Sequence, residues 1–114
     1  MTGYLRRAAE RGIPVVLDGI VSCCAALVAE RIAPASRAWW IAGHRSSEPA
    51  SRVALESLGL RPLLDLDLRL GEGTGALLSL PLLNAAAATL GQMATFDSAG
   101  VSDRDPAAES GRDA

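Results

Sequence analysis

Three short segments of the sequence carry groups that could take part in chemistry. In the first, Glu72 stands between Gly71 and Gly73, so the backbone can approach a ligand closely and no bulky neighbour crowds the carboxylate. An apolar pocket around such a carboxylate would suit it to act as a general base near neutral pH. The alternative is a turn glutamate that faces water ahead of a helix beginning near Thr74.

The other two segments are loops that follow predicted strands. The dipeptide Asp18-Gly19 ends one strand, and residues 43–47, Gly-His-Arg-Ser-Ser, follow the next. In open α/β sheets, ligands bind beyond the carboxyl ends of the strands, where backbone amides and helix N-termini attract anions. The second loop therefore suits a phosphate, with Ser46 among its donors. The alternative is that Ser47 only caps the following helix while the loop arginine faces solvent.

Residue types that are missing exclude several kinds of chemistry. All eleven positive charges are arginines, so neither a lysine Schiff base nor a P-loop lysine is available. His44 is the single histidine and has no partner at ligand spacing, so we predict no metal site, no Ser-His-Asp triad and no cofactor. We expect His44 to make local hydrogen bonds in its loop. The neighbours Cys23 and Cys24 rarely suit a disulfide and are interpreted as small buried side chains.

The bulk composition predicts one soluble folded domain. Apolar residues make up 49% and charged residues 21%, and the net charge of -2 gives no reason to bind nucleic acid or an anionic membrane. The apolar runs 20–29 and 76–90 are too short for a membrane span, and Pro81 and Asn84 interrupt the second. The N-terminus lacks the pattern of a secretory signal, so we expect a cytoplasmic protein.

The apolar pattern predicts an α/β fold, with part of a parallel sheet and its helical crossovers followed by a long buried C-terminal helix. The predicted elements are, in order, helix 4–11, strand 13–17, helix 20–32, strand 38–42, helix 48–58, an extended link or third strand at 63–65, and helix 76–93. Residues 1–101 form the predicted domain, and residues 102–114 form a predicted disordered tail. A parallel sheet of two or three strands is hard to stabilise alone. We therefore expect another part of a larger protein, or another chain, to complete the sheet.

Three separated motifs resemble a known family. They are IPVVLDGI at 13–20, IAGHRSSEP at 41–49 and LDLDLRLGEGTGA at 64–76. In this order, and over residues 3–103, they resemble the C-terminal part of the nicotinate-nucleotide–dimethylbenzimidazole phosphoribosyltransferase family. The family's N-terminal segments, with its nucleotide loop and most of its benzimidazole pocket, have no counterpart in this sequence.

The resemblance implies a transferase that moves phosphoribose from nicotinate mononucleotide to 5,6-dimethylbenzimidazole, giving α-ribazole 5′-phosphate for cobalamin biosynthesis. It implies a homodimer or, for this chain, a complementing N-terminal chain. The alternative function is a non-catalytic phosphate-binding or assembly module. The resemblance also implies roles for six residues: Glu72 as the general base, and Asp18, Gly19, Ser46, Gly71 and Gly73 as substrate contacts.

Overall fold

The computed structural model describes residues 1–101 of the protein. The predicted tail at 102–114 lies outside the described residues. The chain divides into two compact units, the first covering Met1–Leu83 and the second beginning at Asn84. The first unit contains the sheet and every residue that the sequence assigned to a site.

The elements alternate as an α/β fold requires, and the predicted fold class is confirmed. Strands β1 and β2 pair in parallel, with Val15 opposite Trp40 and Leu17 opposite Ala42. Helix α2 makes the crossover between them. The elements are α1 (Thr2–Glu10), β1 (Val15–Leu17), α2 (Ile20–Ile32), a 3₁₀ helix (Pro34–Trp39), β2 (Trp40–Ala42), α3 (Pro49–Leu58), α4 (Thr74–Gln92) and α5 (Phe96–Ala99).

The second strand is shorter than predicted. The prediction of a strand at residues 38 and 39 is wrong, because Pro34 begins a 3₁₀ helix that continues to Trp39. The segment predicted as a third strand or an extended link is a link. It runs beside the end of β2, where the Leu63 amide donates to the Ala42 carbonyl at 2.9 Å and Leu64 forms an isolated parallel bridge with His44.

The core of the first unit lies where α2 packs against α1 and α3. Ala26, Ala29 and Ala54 are buried there, and their small side chains let the helices approach closely. Cys23 is fully buried in this core, as predicted, but the prediction is wrong for Cys24, which is exposed. Successive residues on a helix point in different directions, so one cysteine faces the core and the next faces solvent.

The start of α3 differs from the prediction, whereas its end agrees with it. Ser47 does not cap the helix. Glu48 occupies the N-cap position, and its amide donates to the Ser46 hydroxyl at 3.2 Å. Gly59 ends the helix in the left-handed conformation, at φ 59°, and its amide bonds to the Glu56 and Leu55 carbonyls, as a glycine cap should.

The long C-terminal helix is present as α4, but the expectation that it is mostly buried is wrong for this chain. Its buried residues are Gly75 and Ser79, whereas leucines such as Leu77 and Leu82 are about half or more exposed. By length and composition alone, α4 is apolar enough to cross a membrane, and the core helices of soluble proteins share that composition. A surface with so many leucines is typical of a helix that packs against further protein.

Candidate active site

A cavity of about 550 Å³ opens at the carboxyl ends of β1 and β2, where the sequence predicted a ligand site. All six predicted site residues line it. Its walls come from Met1, the turn and first residues of α2 (residues 18–22), the loop after β2 (His44, Ser46 and Glu48) and the segment 69–73. The fold therefore brings together residues that lie more than fifty positions apart in the sequence.

Asp18 connects the end of β1 to the start of α4. Its carboxylate accepts two backbone hydrogen bonds, from the Gly73 amide to Oδ2 and from the Ala76 amide to Oδ1, each at 3.0 Å. Its own amide donates to the Ser22 hydroxyl at 2.9 Å, and that hydroxyl donates to the Gly19 carbonyl at 2.8 Å. Both carboxylate oxygens of Asp18 are thus engaged with the chain itself.

His44 is buried beside this carboxylate, with 2% of its surface exposed. Its Nδ1 lies 3.5 Å from Asp18 Oδ1 and has no hydrogen-bond partner among the described residues. The expected local hydrogen bonding of His44 is therefore not found at this atom. Instead the imidazole occupies the space that a Cβ on Gly75 would fill, so residue 75 must be a glycine for the ring to pack there.

A second glycine permits the same close approach from the other side. A Cβ on Gly43 would lie 2.9 Å from the Ala76 Cα and 3.0 Å from the Leu17 carbonyl oxygen. Both neighbours are backbone atoms, which cannot swing aside. Gly43 and Gly75 thus let the first turn of α4 pack directly on the loop after β2.

Glu72 is exposed at the cavity, on a tight turn. Its φ of 57° lies in the left-handed region, as do the φ values of Gly71 and Gly73. A non-glycine residue in this region is uncommon and is often found at functional sites. Among the described residues, no hydrogen bond restrains the Glu72 carboxylate, and the apolar pocket expected around it is not formed by this part of the chain.

Of the polar side chains in the loop after β2, Ser46 lines the cavity and Arg45 does not. The Ser46 side chain is nearly buried, and its oxygen accepts the Glu48 amide. No acceptor for the Ser46 proton lies among residues 1–101, so this proton is available to a ligand. Arg45, the arginine of this loop, pairs with Asp65 on the surface and does not line the cavity, as the alternative interpretation of a solvent-facing arginine predicts. Arg69 lines the cavity instead, with its Nε 2.9 Å from Glu48 Oε1.

Sequence reasoning missed His44, Ser22 and Arg69 as parts of this site. One signal was available for His44. Gly75 directly precedes the predicted helix 76–93, where a glycine can have a packing reason. The sequence does not indicate which side chain needs that space.

Comparison with known proteins assigns the chain to a family. A family model described as phosphoribosyltransferase matches residues 1–101. The chain belongs to this phosphoribosyltransferase family. Its relatives include the nicotinate-nucleotide–dimethylbenzimidazole phosphoribosyltransferases of Mycobacterium avium strain 104, 56% identical over 103 residues, and of Mycobacterium tuberculosis H37Rv, 56% identical over 104 residues. These matches cover 90% and 91% of this chain, and 30% and 29% of the relatives.

Solved structures agree with this assignment. A crystal structure of nicotinate-nucleotide–dimethylbenzimidazole phosphoribosyltransferase from Thermus thermophilus has a TM-score of 0.83 and 55% identity, and a structure of CobT from the same organism has a TM-score of 0.84 and 55% identity. Each match covers 90% of this chain and 31% of the other. The chain thus spans about 30% of the length of the relatives it matches, and the predicted partial resemblance to this family is confirmed.

Proposed function

We propose that this chain provides the general-base portion of a nicotinate-nucleotide–dimethylbenzimidazole phosphoribosyltransferase, which transfers phosphoribose from nicotinate mononucleotide to 5,6-dimethylbenzimidazole in cobalamin biosynthesis. The single observation that supports it most is the convergence of three distant segments on one cavity. That cavity lies at the edge of the sheet where α/β proteins bind ligands. The chain is also more than half identical to relatives that carry this name.

The proposed reaction is a substitution at C1′ of the ribose. One benzimidazole nitrogen attacks C1′ as the bond from C1′ to the pyridine nitrogen breaks, and that electron pair leaves with nicotinate. Glu72 takes the proton from the other benzimidazole nitrogen. A neutral azole is a weak nucleophile, so proton removal as the bond forms contributes about 10²–10⁴-fold to the rate. Attack with inversion gives the α configuration of α-ribazole 5′-phosphate.

The substrate contacts are proposed from the cavity lining. Gly19, Gly71 and Gly73 present backbone where a nucleotide can approach closely, and the Ser46 hydroxyl has a proton to donate to ribose or phosphate. For Asp18 we propose a different role, argued below, because both of its carboxylate oxygens accept backbone hydrogen bonds.

We propose that further protein completes this site, supplied by a complementing N-terminal chain or by a second copy in a homodimer. The exposed leucines of α4 and the two-stranded sheet of the described residues support an additional packed layer. We also propose a cytoplasmic location, because the reaction proposed for this chain is a step of cobalamin biosynthesis and the relatives that carry this name are bacterial.

The experiment that tests this function is product formation measured by mass spectrometry. The chain is incubated with nicotinate mononucleotide and 5,6-dimethylbenzimidazole, alone and with the N-terminal remainder of the Mycobacterium avium relative. We expect α-ribazole 5′-phosphate in the complemented sample, and at least about a hundredfold less with Glu72→Gln. Glu56→Gln is the matched control, because Glu56 is an exposed glutamate on α3 that does not line the cavity.

Equal turnover by the wild-type chain and Glu72→Gln would contradict the assignment of the base. Binding of nicotinate mononucleotide without turnover, in the complemented sample as well as alone, would support the non-catalytic module instead. The exposed position of Glu72 keeps that alternative open, because the described residues do not enclose the carboxylate.

A further inference from the structure

We propose that Asp18 is the positioning residue for Glu72, acting through the backbone of the turn that carries it. This inference rests on the proposed function, in which Glu72 is the base. The Glu72 carboxylate has no hydrogen bond to another described residue, so its location depends on how firmly the turn itself is held. Asp18 supplies the long-range hydrogen bonds that hold this turn, at Gly73 and Ala76.

The two hydrogen bonds act on either side of the start of α4. The Gly73 amide directly follows Glu72, and the Ala76 amide belongs to the first turn of the helix, where backbone amides have no partner within the helix. A carboxylate at this end also interacts favourably with the helix dipole. Asp18, which directly follows β1, therefore caps α4 from more than fifty residues earlier in the sequence, and the same two hydrogen bonds hold the turn.

Asp18 is itself well fixed, which a positioning residue requires. Its amide is held by Ser22, whose hydroxyl bonds back to Gly19. The buried imidazole of His44 lies against its carboxylate, and that ring is in turn packed on Gly75. Asp18 thus holds the turn in a fixed position relative to the end of β1 and to the sheet.

Direct contact with substrate is the competing role for Asp18. Both oxygens already accept backbone amides, and a carboxylate would repel the phosphate of a nucleotide. The two roles predict different kinetics. A positioning residue changes kcat only while Glu72 is present to be positioned, whereas a substrate contact raises KM whether Glu72 is present or not.

The kinetic test is a double-substitution cycle of Asp18→Ala and Glu72→Gln in the complemented enzyme. We expect Asp18→Ala to lower kcat by roughly 10–100-fold, since a displacement of about 1 Å can have that effect, with little change in KM for nicotinate mononucleotide. In the Glu72→Gln background the same substitution should lower kcat less than about twofold. Asp65→Ala is the matched control, because Asp65 pairs with Arg45 outside the cavity. Equal losses in both backgrounds would overturn the proposal.

A second measurement does not depend on activity. Amide hydrogen exchange is followed by NMR in the chain alone, where we expect Asp18→Ala to speed exchange at Gly73 and Ala76 at least about tenfold. Asp18→Asn keeps one acceptor oxygen and should speed exchange at one of the two amides, while the Ser51 amide in α3 serves as the unchanged reference. Unchanged exchange at both amides would overturn the proposal. Faster exchange together with inactive complemented enzyme would support the capping contact and count against the proposed reaction.

Discussion

Glu72 could be singled out from the sequence as a candidate base because its signal is local. Two glycines flank it, and the structure places all three residues in the left-handed region. The contacts of Asp18 could not be predicted in the same way, because its partners, Gly73 and Ala76, follow it by 55 and 58 residues. The burial of His44 depends on Gly75, which is also distant from it in the sequence. Spacing along the chain predicts a turn, whereas contacts between turns depend on the packing of the whole unit.

The buried thiol of Cys23 predicts how the free energy of unfolding changes at alkaline pH. Burial raises the pKa of the Cys23 thiol above its ordinary value of 9.0. As pH rises past that value, the unfolded chain loses this proton while the folded chain keeps it, so the unfolding free energy falls. Well below pH 9.0 the Cys23 thiol is protonated in both states, so it does not change the unfolding free energy there. We expect urea unfolding at several pH values to show the decline, and Cys23→Ala to make it shallower.

Cys24→Ala is the matched control, because the adjacent thiol is exposed. It should keep the alkaline decline of the wild-type chain, whatever its effect at neutral pH. If Cys23→Ala and the wild-type chain showed the same slope above the ordinary thiol pKa, burial of Cys23 would not be the cause of the decline.

At the scale of elements, the predictions succeeded where a sequence signal marks each end. Helix α2 spans Ile20–Ile32 as predicted, between Gly19 and Pro34, and Gly59 ends α3. The predictions failed where contacts between distant parts of the chain determine the local structure. Residues 66–70, Leu-Asp-Leu-Arg-Leu, alternate leucines with charged residues, a pattern that is typical of a strand. They form no strand, because Asp67 has φ 52° and the chain there follows the loop after β2 through a bond from the Ser47 amide to the Leu68 carbonyl. Local alternation does not indicate whether a partner strand is present.

The contact between α4 and the loop after β2 predicts a large effect of a small substitution. Gly75→Ala places a methyl group where the His44 ring lies, so α4 or the ring must shift. We expect the free energy of unfolding to fall by about 1–3 kcal/mol, as overpacking in a well-packed core does, measured by urea denaturation. Gly91→Ala, also in α4, has open space around its Cβ and should be neutral or stabilising by up to about 1 kcal/mol. Similar results for the two variants would contradict the packing argument.

At the scale of the molecule, residues 1–101 leave many large apolar side chains exposed. The chain spans about 30% of the length of its relatives, and its longest helix has two buried residues. The expectation that α4 is mostly buried failed because the described residues leave most of this helix uncovered. Its apolar composition is typical of an internal helix, which is consistent with the further protein proposed above to pack against it.

This surface predicts self-association of the chain when it is alone. Leu78 and Leu82, one helical turn apart on α4 and each 49% exposed, should contribute to it. We expect sedimentation velocity to show a mass that rises with concentration, and the double substitution Leu78→Gln and Leu82→Gln to reduce that rise. The matched control replaces Val28 and Val53, which are 53% and 58% exposed on α2 and α3, with glutamine. An equal reduction by the control would show that general apolar exposure, rather than α4, drives association.

The carboxylate of Asp18 also has a consequence for the order of events during synthesis. Its partners leave the ribosome after it by 55 and 58 residues, so β1 can emerge long before the turn that it will hold. Contacts that close such long stretches of chain form slowly compared with local helices. The turn that carries Glu72 is therefore ordered only once β1, β2 and the start of α4 have come together, and a nascent chain that stops short of Ala76 lacks one of the two Asp18 hydrogen bonds that hold this turn.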